Sequence, residues 1–117
     1  MDLYDKSLVT VIGVSLVLVA LAIPLVLRRV PPNPVYGFRT RATQADAALW
    51  REANAYFGRL LIAATAIACA FAITVRFTLP LAPGLVVPLT VACFTLPGLF
   101  AALATLRFVR QHPGAGR

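Results

Sequence analysis

Three long stretches without charged side chains constrain the fold of this chain most strongly. The first covers residues 8–27, which as an α-helix would measure about 30 Å, the thickness of a bilayer core. The second covers residues 60–75 and reaches a similar length when it is extended back to residue 56. The third covers residues 77–106 and is too long for one straight span. Because Pro80, Pro83 and Gly84 predict a turn at its start, we expect the span itself over 85–106.

The composition agrees with a membrane protein. Hydrophobic residues make up 60% of the chain and charged residues 13%, against about 25% charged residues in soluble domains. A soluble domain of this size would lack the polar residues that cover its surface. The sequence therefore predicts a single all-α membrane domain over residues 1–117, with three transmembrane helices at about 8–27, 56–75 and 85–106.

The first stretch also has features of a signal peptide, because Ala20, Leu21 and Ala22 mimic a cleavage site. A signal peptide begins with a positively charged segment, whereas Asp2 and Asp5 outnumber Lys6 here. The apolar stretch also continues past Ala22. We therefore expect a retained span.

The formal net charge of +7 is interpreted as a topology signal. No basic face with interleaved aromatic residues indicates nucleic acid as a partner. Eight basic residues lie in the first loop or the C-terminal tail: Arg28, Arg29, Arg39, Arg41, Arg51, Arg107, Arg110 and Arg117. Only Lys6 and Arg76 lie on the opposite side. This count predicts a cytoplasmic loop and C-terminus and an N-terminus outside.

Small residues distinguish the second span. Six alanines lie between Ala63 and Ala72, and Gly58 precedes them. In lipid, such residues mark faces where helices approach closely, so we expect this helix to be central. Cys69 and Cys93 lie in apolar surroundings without nearby His, Asp or Glu, and we interpret both as packing residues.

The third span contains Pro88 and Pro97, which predict a bend or a locally loosened helix. After Arg110, residues 111–117 are rich in Gly and Pro and are predicted to form a disordered tail. We expect His112 to be a solvated residue of this tail.

The loop over residues 28–55 is nearly the only polar part of the chain. Three prolines among residues 31–34 predict an extended exit from the first span, and Gly37 permits a tight turn. Thr43 is the expected N-cap of the next helix, with Asp46 favourable in its first turn. The sequence thus predicts a short amphipathic interfacial helix from Gln44, continuous with or hinged onto the second span.

One face of this helix is predicted to carry polar contacts. At spacings of three and four residues, this face holds Trp50, Asn54, Phe57, Gly58 and Leu61.

An amide at a membrane boundary requires hydrogen-bond partners. For Asn54, we expect these from Arg39 and Thr40, while Asp46 or Glu52 could pair with Arg39. Two structural alternatives stay open: Trp50 and Tyr56 as interfacial anchors, and the whole network as a staple between the loop and the bundle.

The polar loop resembles the signature of the SdpI family. The resemblance rests on an Asn, a Tyr-Gly-Phe-Arg-Thr block, and a Trp followed by Ala-Asn and Gly, here Asn33, Tyr36–Thr40, Trp50, Ala53–Asn54 and Gly58. It implies a three-span module in a bacterial inner membrane, related to a protein that gives immunity to a secreted, membrane-active toxic peptide. It also implies functional importance for Asn33, Tyr36, Gly37, Arg39, Thr40, Trp50, Asn54 and Gly58.

Several functions are compatible with this sequence. The first is protection against a peptide toxin or binding of a partner helix in the membrane. A homo-oligomer is compatible with either function. The alternative is a small structural subunit or a holin-like oligomeric pore. No catalytic, cofactor or metal site is predicted, because the chain has no nucleophile with a base, no carboxylate pair and no ligand spacing. We therefore do not expect an enzyme.

Overall fold

The computed structural model describes residues 2–80 and 82–111, and these residues form helices and connecting turns. Four helices follow one another: α1 over Leu3–Val26, α2 over Arg41–Ala45, α3 over Ala47–Thr78 and α4 over Pro83–Arg110. Three of them, α1, α3 and α4, are long and apolar enough to cross a membrane. The predicted all-α architecture with three long helices is confirmed, and a short helix precedes the second of them.

Helix α1 begins earlier than the predicted span because Asp2 caps it. The Asp2 carboxylate accepts a hydrogen bond from the Asp5 backbone N–H at 2.8 Å. The helix continues through Pro24 and ends at Val26. There Arg28 takes a positive φ of 59°, which turns the chain into the loop.

The expected N-cap at Thr43 was wrong by one turn. Thr40 is the N-cap of α2, and its hydroxyl accepts from the Thr43 backbone N–H at 3.2 Å. The Thr43 hydroxyl in turn accepts from the Thr40 N–H at 2.8 Å, which completes a capping box. Thr43 is therefore the third residue of this helix rather than its cap.

The chain is hinged between α2 and α3, not continuous. Asp46 has an extended backbone with φ −139° and ψ 112°, and its carboxylate accepts from the N–H groups of Ala48 and Leu49. Asp46 thus caps α3 instead of contributing to the first turn of the preceding helix. The hinge lets Ala42 of α2 pack against Leu49 and Ala53 at the end of the bundle.

Helix α3 is the central helix, as its small residues predicted. It packs along both α1 and α4, and Ala22, Leu61 and Ala101 from the three helices form one buried cluster. Gly58 permits the close approach to α1: a Cβ at this position would lie 2.8 Å from Val26 Cγ2 and 3.0 Å from the Ala22 carbonyl oxygen. No side chain larger than hydrogen fits there without a shift of α1.

Helix α4 starts at Pro83, inside the turn that the sequence predicted. Pro83 occupies the first helical position, where a missing backbone N–H costs no hydrogen bond. The helix then continues through Pro88 and Pro97 to Arg110. Of the predicted tail over residues 111–117, Gln111 closes this helix by donating to the Arg107 carbonyl at 3.1 Å, whereas residues 112–117, including His112, lie outside the described residues.

Candidate functional site

The loop that carries the sequence motif folds back onto the start of α3. Its first turn is organised by Asn33, whose side-chain oxygen accepts from the N–H groups of Val35 at 2.9 Å and Tyr36 at 2.6 Å. The Asn33 amide nitrogen donates to the carbonyls of Pro31 and Tyr36. One asparagine side chain thus satisfies four backbone groups in a segment where prolines remove the usual donors.

Gly37 brings the loop into contact with α3. Its φ is +107°, a conformation that other residues rarely adopt. A Cβ at this position would lie 2.7 Å from Asn54 Oδ1 and 3.2 Å from the Trp50 ring. Glycine is therefore required here both by the backbone conformation and by the space available.

Asn54 connects the loop to α3 through a two-way contact with Phe38. Its side-chain oxygen accepts from the Phe38 N–H at 2.5 Å, and its amide nitrogen donates to the Phe38 carbonyl at 3.2 Å. The same nitrogen donates to the Trp50 carbonyl at 3.0 Å, and Asn54 is only 2% exposed. The expected polar partners from Arg39 and Thr40 were wrong, because the Gly37 turn presents the Phe38 backbone to Asn54.

Trp50 completes the contact between the loop and the bundle. It is fully buried, and its indole N–H donates to the Val30 carbonyl at 2.7 Å. The alternative of Trp50 as an exposed interfacial anchor is therefore wrong. We refer to Gly37, Phe38, Trp50 and Asn54 together as the motif latch.

Further contacts connect the loop to α1 and α3, and α3 to α4. The Tyr36 hydroxyl donates to the Leu21 carbonyl of α1, and partial burial raises the pKa of this phenol above its usual value. The ring of Phe38 packs against Phe57 with centroids 5.8 Å apart. Tyr56, the other expected anchor, is half-buried and stacks on Phe108 of α4 at 4.6 Å.

Charged groups of the loop remain at the surface. Arg28 forms two hydrogen bonds to the Glu52 carboxylate, at 2.9 and 3.1 Å, and this hydrogen bonding raises the pKa of the guanidinium above its usual value. Arg39 is exposed, and its guanidinium donates to the Pro34 carbonyl. The expected pairing of Arg39 with Asp46 or Glu52 does not occur among the described residues, because Asp46 caps α3 and Glu52 binds Arg28.

The structure brings most of the predicted motif residues together. Asn33, Tyr36 and Gly37 form the loop turn, Trp50 and Asn54 receive it, Thr40 caps the helix that follows, and Gly58 lies one turn beyond Asn54 against α1. Sequence reasoning missed Phe38 and Val30 as partners, since both act through backbone groups that carry no residue signature. It also missed the pairing of Arg28 with Glu52.

The polar side chains of the motif residues form hydrogen bonds inside the protein and do not line an open site. Most of their polar groups bond within the loop or to α3, and Arg39 is the exposed cation among them. In the described part of the chain, no group of three His, Cys, Asp or Glu residues is placed to hold a metal ion.

Comparison with known proteins gives one family. The sequence model of the SdpI/YfhL protein family matches residues 29–109, which include the loop, α2, α3 and almost all of α4. A curated relative, "Uncharacterized protein YfhL" of Bacillus subtilis (strain 168), is 44% identical over 41 residues, covering 32% of this chain and 37% of the relative. The similarity thus spans little more than a third of that relative's length. No solved structure matches the chain significantly.

Proposed function

This chain belongs to the SdpI/YfhL protein family, and we propose that it protects a bacterial cell against a membrane-active toxic peptide. In this proposal the protein lies in the cytoplasmic membrane and binds the peptide, or another membrane helix, through the apolar faces of its long helices. The supporting observation is the inward orientation of the motif: Trp50 and Asn54 are buried and bonded to the loop. The motif then maintains the shape of the bundle, and the exposed helix faces make the contacts with the peptide.

The helix faces available for such contacts are large and apolar. Leu16 of α1, Ile67 of α3 and Leu99 of α4 are 67%, 71% and 55% exposed. Helices associate in lipid by packing such faces together, with small residues permitting close approach. A bundle of fixed shape presents these faces in a constant arrangement, which favours one partner over others.

Bacteria sensitive to the peptide toxin against which the family's named member gives immunity provide the test. Survival is compared for cells with empty vector, the wild-type chain, Asn54→Ala and Arg39→Ala, with membrane levels checked by blot. We expect the wild-type chain to protect and Asn54→Ala to lose protection. Although the family motif includes Arg39, we expect Arg39→Ala to keep most of the protection, because this side chain is exposed and bonds within its own loop.

Three outcomes would contradict the proposal. Absence of protection at normal membrane levels would exclude immunity to this peptide. If Arg39→Ala lost protection and Asn54→Ala kept it, the contact site for the peptide would be the exposed loop and not the bundle. Lysis on expression of the wild-type chain alone would instead favour the oligomeric pore.

We also propose a topology with the N-terminus outside and the motif loop and C-terminus in the cytoplasm. Basic residues lie at the motif end of the bundle, whereas Lys6 and Arg76 lie at the other end. Fusion of a fluorescent protein and of alkaline phosphatase to the C-terminus distinguishes the two orientations. We expect fluorescence without phosphatase activity, and the reverse result would contradict this topology.

A further inference from the structure

A cavity of about 330 Å³ lies between α1, α3 and α4, at the end of the bundle away from the motif latch. Its buried part is apolar, since Val11, Val75 and Val86 are 2%, 8% and 2% exposed. Phe71 and Leu79 also line the cavity but are exposed, so the cavity opens at the bundle surface. A cavity of this size and lining is within the range of small-molecule sites in proteins.

Polar groups also line this cavity. Arg76 lines it and donates to the Asp5 carboxylate at 2.9 Å. The Arg76 Nε is buried, and no acceptor for it lies within the part of the chain that the structure describes. Buried N–H groups nearly always have acceptors, so this donor indicates a missing partner.

Neighbouring groups hold the Arg76 side chain in place. Its guanidinium carbon lies 5.8 Å from the centroid of the Tyr4 ring and 5.5 Å from that of Phe77. The hydroxyls of Ser7 and Thr90, which also line the cavity, bond to each other across α1 and α4. The cation is therefore oriented beside the cavity rather than extended freely into water.

A cation beside buried apolar side chains fits an amphiphile. We propose that this cavity binds one phospholipid, with an acyl chain against Val11, Val75 and Val86 and the phosphate accepting from Arg76. A guanidinium matches phosphate geometry and retains several donors after it has bound Asp5. Phospholipid surrounds every membrane protein, so its phosphate is available to a guanidinium at the end of a transmembrane helix. This inference does not depend on the immunity proposal.

Native mass spectrometry of the full chain in detergent tests the proposal. The probes are dioleoyl phosphatidylglycerol and dioleoylglycerol, which have the same acyl chains but differ in the phosphate headgroup. We expect the wild-type chain to prefer the phospholipid by about tenfold or more, the amount expected for one hydrogen bond to a charged group.

Two variants separate the phosphate contact from the cavity. Arg76→Gln should lower phospholipid affinity to that of dioleoylglycerol, whereas Arg59→Gln, the same change in the first half of α3, should leave it unchanged. Ala72→Phe places a ring into the cavity and should weaken binding of both lipids. Helix content is checked by circular dichroism, and Ala72→Leu replaces Ala72→Phe if helix content falls.

Equal affinity of the wild-type chain for the two lipids would overturn the phosphate assignment. If Arg76→Gln and Arg59→Gln lowered phospholipid affinity equally, the preference would be a general effect of positive charge, and the assignment to Arg76 would be overturned. The protein could instead bind neither lipid and form a dimer that the Ala72 variant loses. That result would overturn the lipid proposal and identify a second copy of the chain as the occupant of the cavity.

Discussion

The two ends of the helical bundle differ in how completely their polar groups are used. At the motif end, the side chain of Asn54 makes three hydrogen bonds, and Gly37 leaves no space for even one additional carbon atom. At the opposite end, the Arg76 Nε has no acceptor among the described residues and a cavity separates the helices. The polar groups of the motif therefore bond within the protein, whereas the proposed lipid site lies among residues that carry no distinctive motif.

Removal of the Asn54 amide should have the largest effect on stability. Asn54→Ala leaves the Phe38 N–H and carbonyl without their partner at a buried position, which should cost about 3 kcal/mol of unfolding free energy. Unfolding in mixed micelles can be followed by Trp50 fluorescence, because Trp50 is the only tryptophan. Gln44→Ala, a loss of an exposed amide bonded to the Asn33 carbonyl, serves as the control and should have little effect. If Asn54→Ala were as stable as the wild-type chain, the hydrogen bonds at the motif end would not support the fold, and the two ends of the bundle would not differ in this respect.

A methyl group at Gly37 should have the next largest effect. Gly37→Ala combines an unfavourable backbone conformation with a contact of 2.7 Å to Asn54, and we expect a loss of about 2 kcal/mol. The emission of Trp50 should also shift to longer wavelength, because the displaced loop exposes the indole. An unshifted emission spectrum together with full stability would show that the loop is not held as described.

The same substitution at two helical glycines tests where the packing is tight. Gly58→Ala places a methyl group against Val26 and the Ala22 carbonyl and should destabilise the fold by about 1 kcal/mol. Gly98→Ala in α4 meets no atom within 4 Å and should instead stabilise the helix by about 0.5–1 kcal/mol. Stabilisation of the fold by both substitutions would contradict the close approach of α1 and α3.

The exposed ion pair at the motif end should have the smallest effect. Glu52→Gln weakens the pairing with Arg28, but both side chains are about half exposed, at 55% and 43%, and such pairs often contribute nothing measurable. The midpoint of unfolding should therefore stay within experimental error. If Glu52→Gln lowered the free energy of unfolding as much as Asn54→Ala, the loop would be held to the bundle by its ion pair rather than by the motif latch.

The long helices could be predicted from sequence because their signal is additive over many residues. Twenty consecutive uncharged positions in α1 outweigh the local effect of Pro24, and the small residues of α3 indicate its central place. The ends of the helices were less predictable. Thr40 and Thr43 are both residue types that are preferred as N-caps. The hinge at Asp46 decides between them because it ends α2 and starts α3, and this hinge depends on the side-chain contacts of Asp46.

The sequence indicates Trp50 and Asn54 of the motif latch, but it does not indicate which groups they contact. Asn54 was recognised as an amide that needs partners, yet its partner is the backbone of Phe38, and backbone groups carry no residue identity. The cavity at the other end was not predictable at all. In the sequence, Arg76 indicates only the topology. That its Nε has no acceptor among the described residues becomes apparent only when α1, α3 and α4 are placed together.

Amide hydrogen exchange at Phe38 tests the central claim most directly, because this N–H donates to Asn54 and connects the loop to α3. The measurement is made by NMR on the full chain in detergent micelles, for the wild type and for Asn54→Ala. We predict slow exchange at Phe38 in the wild type, loss of that protection in Asn54→Ala, and unchanged protection in the middle of α4. Exchange of the Phe38 amide at an unprotected rate in the wild-type protein would show that the motif does not hold the loop to the bundle.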